Sequence, residues 1–195
     1  PNHIGLAEQC AQYRLKLGRP GDALMLLVPL EADARPFAAQ MLARARAELG
    51  DTLAAAETLA RAYVRHPESI GLAEQCARYR LKSGDAQGAL AVLVPLTEIL
   101  TAPALVVLAR AAAEVGNIDQ AETIIARGLE RLPDDLVLTG HLAELRLDAG
   151  RSREAVALLA RVEDSAGPAQ VLLLAKARLF SGDPMGGLAT LERGM

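Results

Sequence analysis

The chain of 195 residues has very few aromatic side chains: no Trp, three Tyr and two Phe, 3% of the total. A core without large rings must fill its space with Ala and branched aliphatics, and 51% of the residues are hydrophobic. The same scarcity removes the stacking platforms on which single-stranded nucleic acids rest. Positive charge is also not in excess. Twenty-one Lys and Arg stand against 24 Asp and Glu, a net charge of −3, which argues against a general binder of nucleic acid or anionic membrane. Long apolar runs are missing. Arg, Glu or Gly interrupts every stretch well short of the roughly 18 to 20 residues that span a bilayer. With 23% charged residues, the composition is that of a folded chain and not a disordered one.

Catalytic signatures are equally scarce. His3, His66 and His141 form no HExxH, Cys-His or Glu-x-x-His spacing of metal-ligand type. No Ser lies in a GxSxG elbow, and no glycine-rich phosphate loop is present. Gly186 and Gly187, near Pro184, read as a helix start. Asp134 and Asp135 read as the N-terminus of a helix, where acids favour the dipole and cap free amides. The sequence therefore predicts no catalytic residue, no metal ligand and no cofactor in this segment.

What is present is a repeat. Ile4 to Leu30 reads IGLAEQCAQYRLKLGRPGDALMLLVPL, and 66 residues later Ile70 to Leu96 reads IGLAEQCARYRLKSGDAQGALAVLVPL; 19 of these 27 positions are identical without a gap. A fixed period implies a stacked architecture. The 66-residue unit divides again. A large apolar residue, an Ala, and a Gly seven residues after that Ala recur six times, ending at Gly18, Gly50, Gly84, Gly116, Gly150 and Gly182 with spacings of 32 and 34. Five residues after each Gly stands Ala23, Ala55, Ala89, Ala121, Ala155 or Gly187, and four further on Leu27, Leu59, Leu93, Ile125, Leu159 or Leu191.

This is the pattern of a helical hairpin. Apolar residues recur at helical spacing before each Gly, as in Leu105, Leu108, Ala109 and Ala112, and the Gly closes that helix in a left-handed conformation. A second helix follows, with an apolar face such as Ala121, Ile124, Ile125 and Leu129. A small residue where the two helices cross lets the backbones approach. One hairpin cannot bury its apolar face alone, so neighbours must stack.

The pattern resembles the tetratricopeptide repeat superfamily in a degenerate bacterial form, over nearly the whole chain. AETIIARGLERLP (Ala121 to Pro133) matches best, ending in the Pro that closes a family repeat, and Leu59, Ala62 and Pro67 end another hairpin likewise. Where the family places bulky residues on its first helix, this chain has Ala7, Ala39, Ala73 and Thr139. Where a Tyr is often found four residues before the Gly, it has Arg14, Arg46, Arg80, Ala112, Arg146 and Arg178. The resemblance implies an all-α, right-handed superhelical solenoid of six antiparallel hairpins, at about 4–35, 36–69, 70–101, 102–135, 136–167 and 168–195, forming one domain. Pro29 and Pro95 fall inside the second helices of the first and third hairpins. An interior Pro removes a hydrogen bond, so those helices should end or kink near Val28 and Val94. The fifth hairpin is equally short but carries Arg161 instead, so Pro is not the only cause.

Pro1, Asn2 and His3 align by the 66-residue offset with Pro67, Glu68 and Ser69, the tail of a repeat. Gly194 and Met195 arrive without a polar capping helix. The expectation is a segment of a longer array. Cys10 and Cys76 occupy the same phase of two hairpins separated by a third. With helices packed roughly 8 to 10 Å apart they stand about 20 Å or more apart, beyond the about 7 Å that a disulfide allows. Both read as small core residues at the place where other repeats put Leu42, Leu108, Leu142 and Leu174.

In the resembling family, stacked first helices line a concave groove that receives a partner segment. On this chain one phase of that face holds Gln12, Arg44, Arg78, Arg110, Glu144 and Lys176, and the phase four residues later holds Lys16, Glu48, Lys82, Glu114, Asp148 and Phe180. These are i,i+4 neighbours. Arg44 with Glu48, and Arg110 with Glu114, can neutralise each other; Arg78 with Lys82, and Glu144 with Asp148, cannot. A basic centre at the third hairpin and an acidic patch at the fifth follow, with Val106, Val107, Leu172, Leu173 and Phe180 adding apolar contacts. The plainer reading is a solvated face that keeps an array soluble.

The resemblance implies a non-catalytic scaffold for protein partners. In style the chain is similar to the periplasmic parts of bacterial exopolysaccharide exporters, where such an array is thought to recruit a polysaccharide-modifying enzyme, and to pilus-assembly repeat proteins. Direct binding of a charged polysaccharide is the alternative, although only Tyr13, Phe37, Tyr63, Tyr79 and Phe180 could serve as sugar platforms. Self-association through open solenoid ends is a further option.

Overall fold

The computed structural model describes residues 4–195; Pro1, Asn2 and His3, aligned above with the tail of a repeat, lie outside the described residues. Among the described residues there are twelve α-helices, three 3₁₀ segments and no strand. The chain divides into two compact units, Pro1–Leu100 and Thr101–Met195. In the first, α1 (Ile4–Lys16) pairs with α2 (Pro20–Leu27), α3 (Pro36–Glu48) with α4 (Thr52–Arg65), and α5 (Ile70–Lys82) with α6 (Ala86–Leu93). In the second, α7 (Ala102–Glu114) pairs with α8 (Ile118–Arg131), α9 (Leu136–Asp148) with α10 (Ser152–Ala160), and α11 (Pro168–Phe180) with α12 (Pro184–Arg193). Within each unit, the second helix of a hairpin also packs on the first helix of the next.

The turns follow from the recurrent Gly. All six adopt positive φ, between 68° and 91°, which a side chain would strain. The amide after each Gly then reaches back to the carbonyl five residues earlier, as in Asp51 N–H to Arg46 O at 3.0 Å and Asp183 N–H to Arg178 O at 2.9 Å. Several second helices are capped at once. Asp51, Asp85 and Asp183 accept from the amides of Ala54, Gly88 and Gly186 at 2.8 to 2.9 Å. Asp135 accepts from Val137 and Leu138 at 2.9 Å, as its place before α9 leads one to expect.

The prolines act as their chemistry requires. α2 stops at Leu27 and α6 at Leu93, and the chain tightens into 3₁₀ segments, Val28–Asp33 and Val94–Ile99. α10 also stops early, at Ala160, without a Pro, and a shorter 3₁₀ segment, Glu163–Ser165, follows.

The core sits where the helices of each hairpin cross. Ala11, Ala43, Ala77, Ala109, Ala143 and Ala175 are at most 7% exposed, and the facing Ala23, Ala55, Ala89, Ala121 and Ala155 are fully buried. The closeness is visible at Gly187, where a Cβ would lie 3.0 Å from the Ala175 carbonyl oxygen. Leu27, Leu59, Leu93, Ile125 and Leu159 fill the space beside these crossings at 0 to 1% exposure. Cys76 fills a core place as expected. Cys10 does not: it is exposed, because no second helix packs on that face of α1 among the described residues.

Ala77→Leu and Ala109→Leu should each overpack a crossing and destabilise by about 1 to 3 kcal/mol. Thermal denaturation checks this, and unchanged melting temperatures in both variants would contradict the packing described.

Candidate functional site

The candidate surface is the outward face of the first helices. Gln12 is half-buried, and the other eleven residues expected there, from Lys16 to Phe180, are exposed. In the first unit, Arg44 Nε donates to Glu48 Oε1 at 2.7 Å, so this pair is neutral. Arg78 and Lys82 stand on α5 without a carboxylate between them. Lys82 Nζ lies 5.7 Å from the centre of the Tyr79 ring, and Lys16 is placed identically over Tyr13. Half-burial pushes the Tyr79 phenol up, against the opposing pull of Arg78 and Arg44. The face carried by α3 and α5 is therefore basic around one aromatic ring.

In the second unit the face is hollowed. A cleft of about 300 Å³ lies between α7 and α9. Arg110 borders it on α7, with His141, Glu144 and Asp148 on α9; Val106, Ala109 and Leu145 supply apolar lining. A smaller recess of about 200 Å³ shares His141 and Glu144 and adds Val137, Gln170 and Leu173. His141 Nδ1 lies 3.1 Å from Glu144 Oε2. No ion pair joins Arg110 to Glu114 among the described residues, and Arg110 lines the cleft together with Glu144 and Asp148. Val107 is buried at 9% and adds no outward contact, whereas Leu172 and Phe180 are exposed and Lys176 lies 5.7 Å from the Phe180 ring. His141 has no ligand-type spacing in the sequence and is absent from the twelve expected face residues; its helical phase, three residues before Glu144, is the signal that places it on the cleft.

Three of the recurrent arginines, Arg46, Arg146 and Arg178, form ion pairs that staple consecutive hairpins. Arg46 donates from both Nη atoms to Glu31, at 2.9 and 2.7 Å, and Arg61 adds a third bond at 2.5 Å. Glu31 sits in the 3₁₀ segment of the preceding hairpin, as Glu163 does in the fifth. The arrangement returns 132 residues later, where Glu163 receives Arg178 at 3.1 Å and also Arg193. In both places the series Arg also donates to a buried Thr hydroxyl, Thr58 or Thr190, which in turn donates to the carbonyl four residues back. Glu122 on α8 makes a third clamp with Arg146 at 3.3 Å and with Arg151. Arg80 and Arg14 make smaller contacts, with Asp85 at 3.1 Å and with the Asp22 carbonyl at 3.2 Å. The two guanidinium groups hold the Glu31 carboxyl at about 2, well below its usual 4.5, and Arg151 and Arg146 lower Glu122.

Among the described residues no group of three or more His, Cys, Asp and Glu could hold a metal ion, and no helix is long and apolar enough to cross a membrane. No protein-family model matches the chain, and no curated protein matches it significantly. Solved structures do. A tetratricopeptide repeat protein from Parabacteroides merdae superposes with a TM-score of 0.73 at 18% identity, over 100% of this chain and 78% of that one. TTC0263, a thermophilic protein of the same repeat type from Thermus thermophilus, gives 0.63 at 25% identity, over 91% and 98%. PilW, described as a widely conserved type IV pilus biogenesis factor, gives 0.76 at 15% identity, over 99% and 92%. The fold is thus that of the tetratricopeptide-repeat solenoids.

The clamps predict a pH dependence. A carboxyl held near 2 in the folded chain contributes stability that is complete above about 4.5 and disappears as pH falls towards about 2. Glu31→Gln should remove this part, at most about 3 kcal/mol. Urea midpoints measured against pH should fall less steeply in the acid range for the variant than for the native chain; parallel curves would show that the clamp contributes nothing.

Proposed function

We propose that the chain is a non-catalytic interaction scaffold whose first-helix face receives a segment of a protein partner. The observation that supports this most directly is the cleft of the second unit, where apolar lining and separated charges of both signs share a recess of about 300 Å³. The cleft suits a segment that carries a cationic side chain for Glu144 and Asp148 beside an aliphatic one for Val106 and Leu145. Rigid helices hold these groups in place, so little ordering of the receptor is required on binding. The twelve face residues named from the sequence remain the candidates for contact. Charge there sets partner choice and association rate more than affinity.

A second setting is favoured by one finding. The likeness to PilW over nearly the full length of both chains supports a role in assembling a pilus or secretion machine. Recruitment of a polysaccharide-modifying enzyme in an exopolysaccharide exporter, with a periplasmic location, rests on sequence resemblance alone, as does direct binding of a charged polysaccharide.

Selection of a displayed peptide library on the chain tests the reading. Enriched peptides should pair Lys or Arg with aliphatic residues. Their affinity should fall about tenfold or more, roughly 1.4 kcal/mol or above, for the double variant Glu144→Lys, Asp148→Lys. Equal binding to both proteins, or no enrichment, would remove the cleft as the partner site.

A further inference from the structure

A second recess, of about 350 Å³, lies inside the first unit where α4 meets α5. Leu53, Ala56 and Ala60 of α4 give it an apolar side, and Arg80 of α5 borders it with Ser83 and Asp85 of the turn that follows. It shares no residue with the first-helix face or with the cleft between α7 and α9.

The joint of α8 and α9, 66 residues further on, is its counterpart. There Arg146 Nε–H donates to Glu122 of α8 at 3.3 Å, and Glu154 stands 3.7 Å from the same atom. Arg80 is the repeat equivalent of Arg146, but Ala56 stands for Glu122, Gly88 for Glu154 and Asp85 for Arg151. Both acids that share the Arg146 Nε have thus become residues without side-chain oxygens. Arg80 Nη1 keeps one carboxylate, Asp85, at 3.1 Å, and the same carboxylate is tied to the Gly88 amide at 2.8 Å. Arg80 Nε is buried and has no hydrogen-bond partner among the described residues. Val92 occupies the place of Thr58 and Thr190, whose hydroxyls receive Arg46 and Arg178. A buried donor left unpaired is costly, the more so on a charged group. The recess opens where the Glu122 side chain lies at the equivalent joint. Its other acid, Glu57, already has Arg61 at 3.8 Å.

We infer that this recess takes a carboxylate from outside the chain, that of a Glu side chain on a protein segment. The carboxylate sits over Ala56 and accepts from Arg80 as Glu122 accepts from Arg146. A guanidinium stays charged, so a carboxylate is its strongest acceptor. Asp85 remains as a second acid on the same guanidinium, an arrangement that Arg146 already has with Glu122 and Glu154. Leu53, 59% exposed, and Ala60 suit the methylenes of the incoming stem. The site is separate from the partner face proposed above and does not depend on it.

Nitrogen-15 spectra of the arginine Nε–H groups test this on the 195-residue chain. Loss of one signal in Arg80→Gln assigns Arg80. The probe is N-acetylglutamate amide, and the control is N-acetylglutamine amide with matched sodium chloride. The probe should move the Arg80 signal and the backbone amides of Leu53, Ala56 and Ser83 to saturation by about 0.1 M, well above millimolar affinity. The control should move none of them, and in Arg80→Gln the amides should no longer respond. Ala56→Glu supplies the carboxylate from within. It should place the Arg80 signal near its probe-bound position and leave the probe without effect. If circular dichroism shows that Ala56→Glu does not fold, Arg80→Gln decides. Propionate, the bare acid, should need at least about tenfold more than the probe. A native chain that does not respond, an equal response to the glutamine control, or amide shifts that persist in Arg80→Gln would overturn the proposal. Equal response to propionate would overturn the protein source and assign the recess to a free acid.

Discussion

Everything in this molecule depends on how closely two helix backbones approach inside each hairpin. Ala on the first helix and Ala or Gly on the second set that distance, and the Gly187 to Ala175 geometry shows that a residue larger than Gly would already touch backbone there. With the crossing this tight, the space left is narrow and is filled by one branched aliphatic per hairpin. Large rings have little room inside, in keeping with an aromatic content of 3%. Tyr13, Phe37 and Phe180 are exposed, and Tyr63 and Tyr79 lie half-buried against the edge of the first unit's core.

Between hairpins, apolar contacts such as Leu59 with Leu72 and Cys76 are joined by a second kind of contact, the ion-pair clamp. Glu31, Glu122 and Glu163 each take two guanidinium groups from the following hairpin. These carboxylates are 18 to 29% exposed, so they keep part of their hydration and avoid the full penalty of a buried ion. At Arg46 the contact is bidentate, which constrains orientation as well as distance. The 66-residue step from Glu31, Arg46 and Arg61 reaches Thr97, Ala112 and Arg127, a set that cannot repeat the same ion pairs.

The hairpins are legible in the sequence because their determinants are local and periodic. Gly with positive φ, the small crossing residues and the prolines at 29 and 95 each act within a few residues of themselves. The clamps are harder to read. The arginine series is plain, but its acids lie on other elements, 15 residues upstream for Arg46 and 24 for Arg146, and no single spacing links them. The recurrence of Glu31, Arg46 and Arg61 at Glu163, Arg178 and Arg193 is the available signal. Cys10 and Val107 depart from their sequence expectations for a shared reason. Phase along a helix fixes which way a residue points, whereas burial depends on what stands opposite. Cys10 has the phase of Cys76 without its neighbour, and Val107 is covered where an open face is expected.

The division of labour between packing and surface bears on function. Crossing, filling and clamping consume most positions of each hairpin, and the constraints recur with the period. At two exposed phases of the first helix the repeats diverge: Arg78 and Lys82 on α5 against Glu144 and Asp148 on α9, although the two helices match in length and share buried Leu, Ala and Leu at Leu72, Ala77, Leu81 and Leu138, Ala143, Leu147. Solvation alone would be served by any mixture of charges. On α9 the divergence coincides with a cleft and apolar lining, which the acid pair shares with Arg110. On the proposed reading, a surface whose scaffold is copied and whose charges are not lets a partner read the charges.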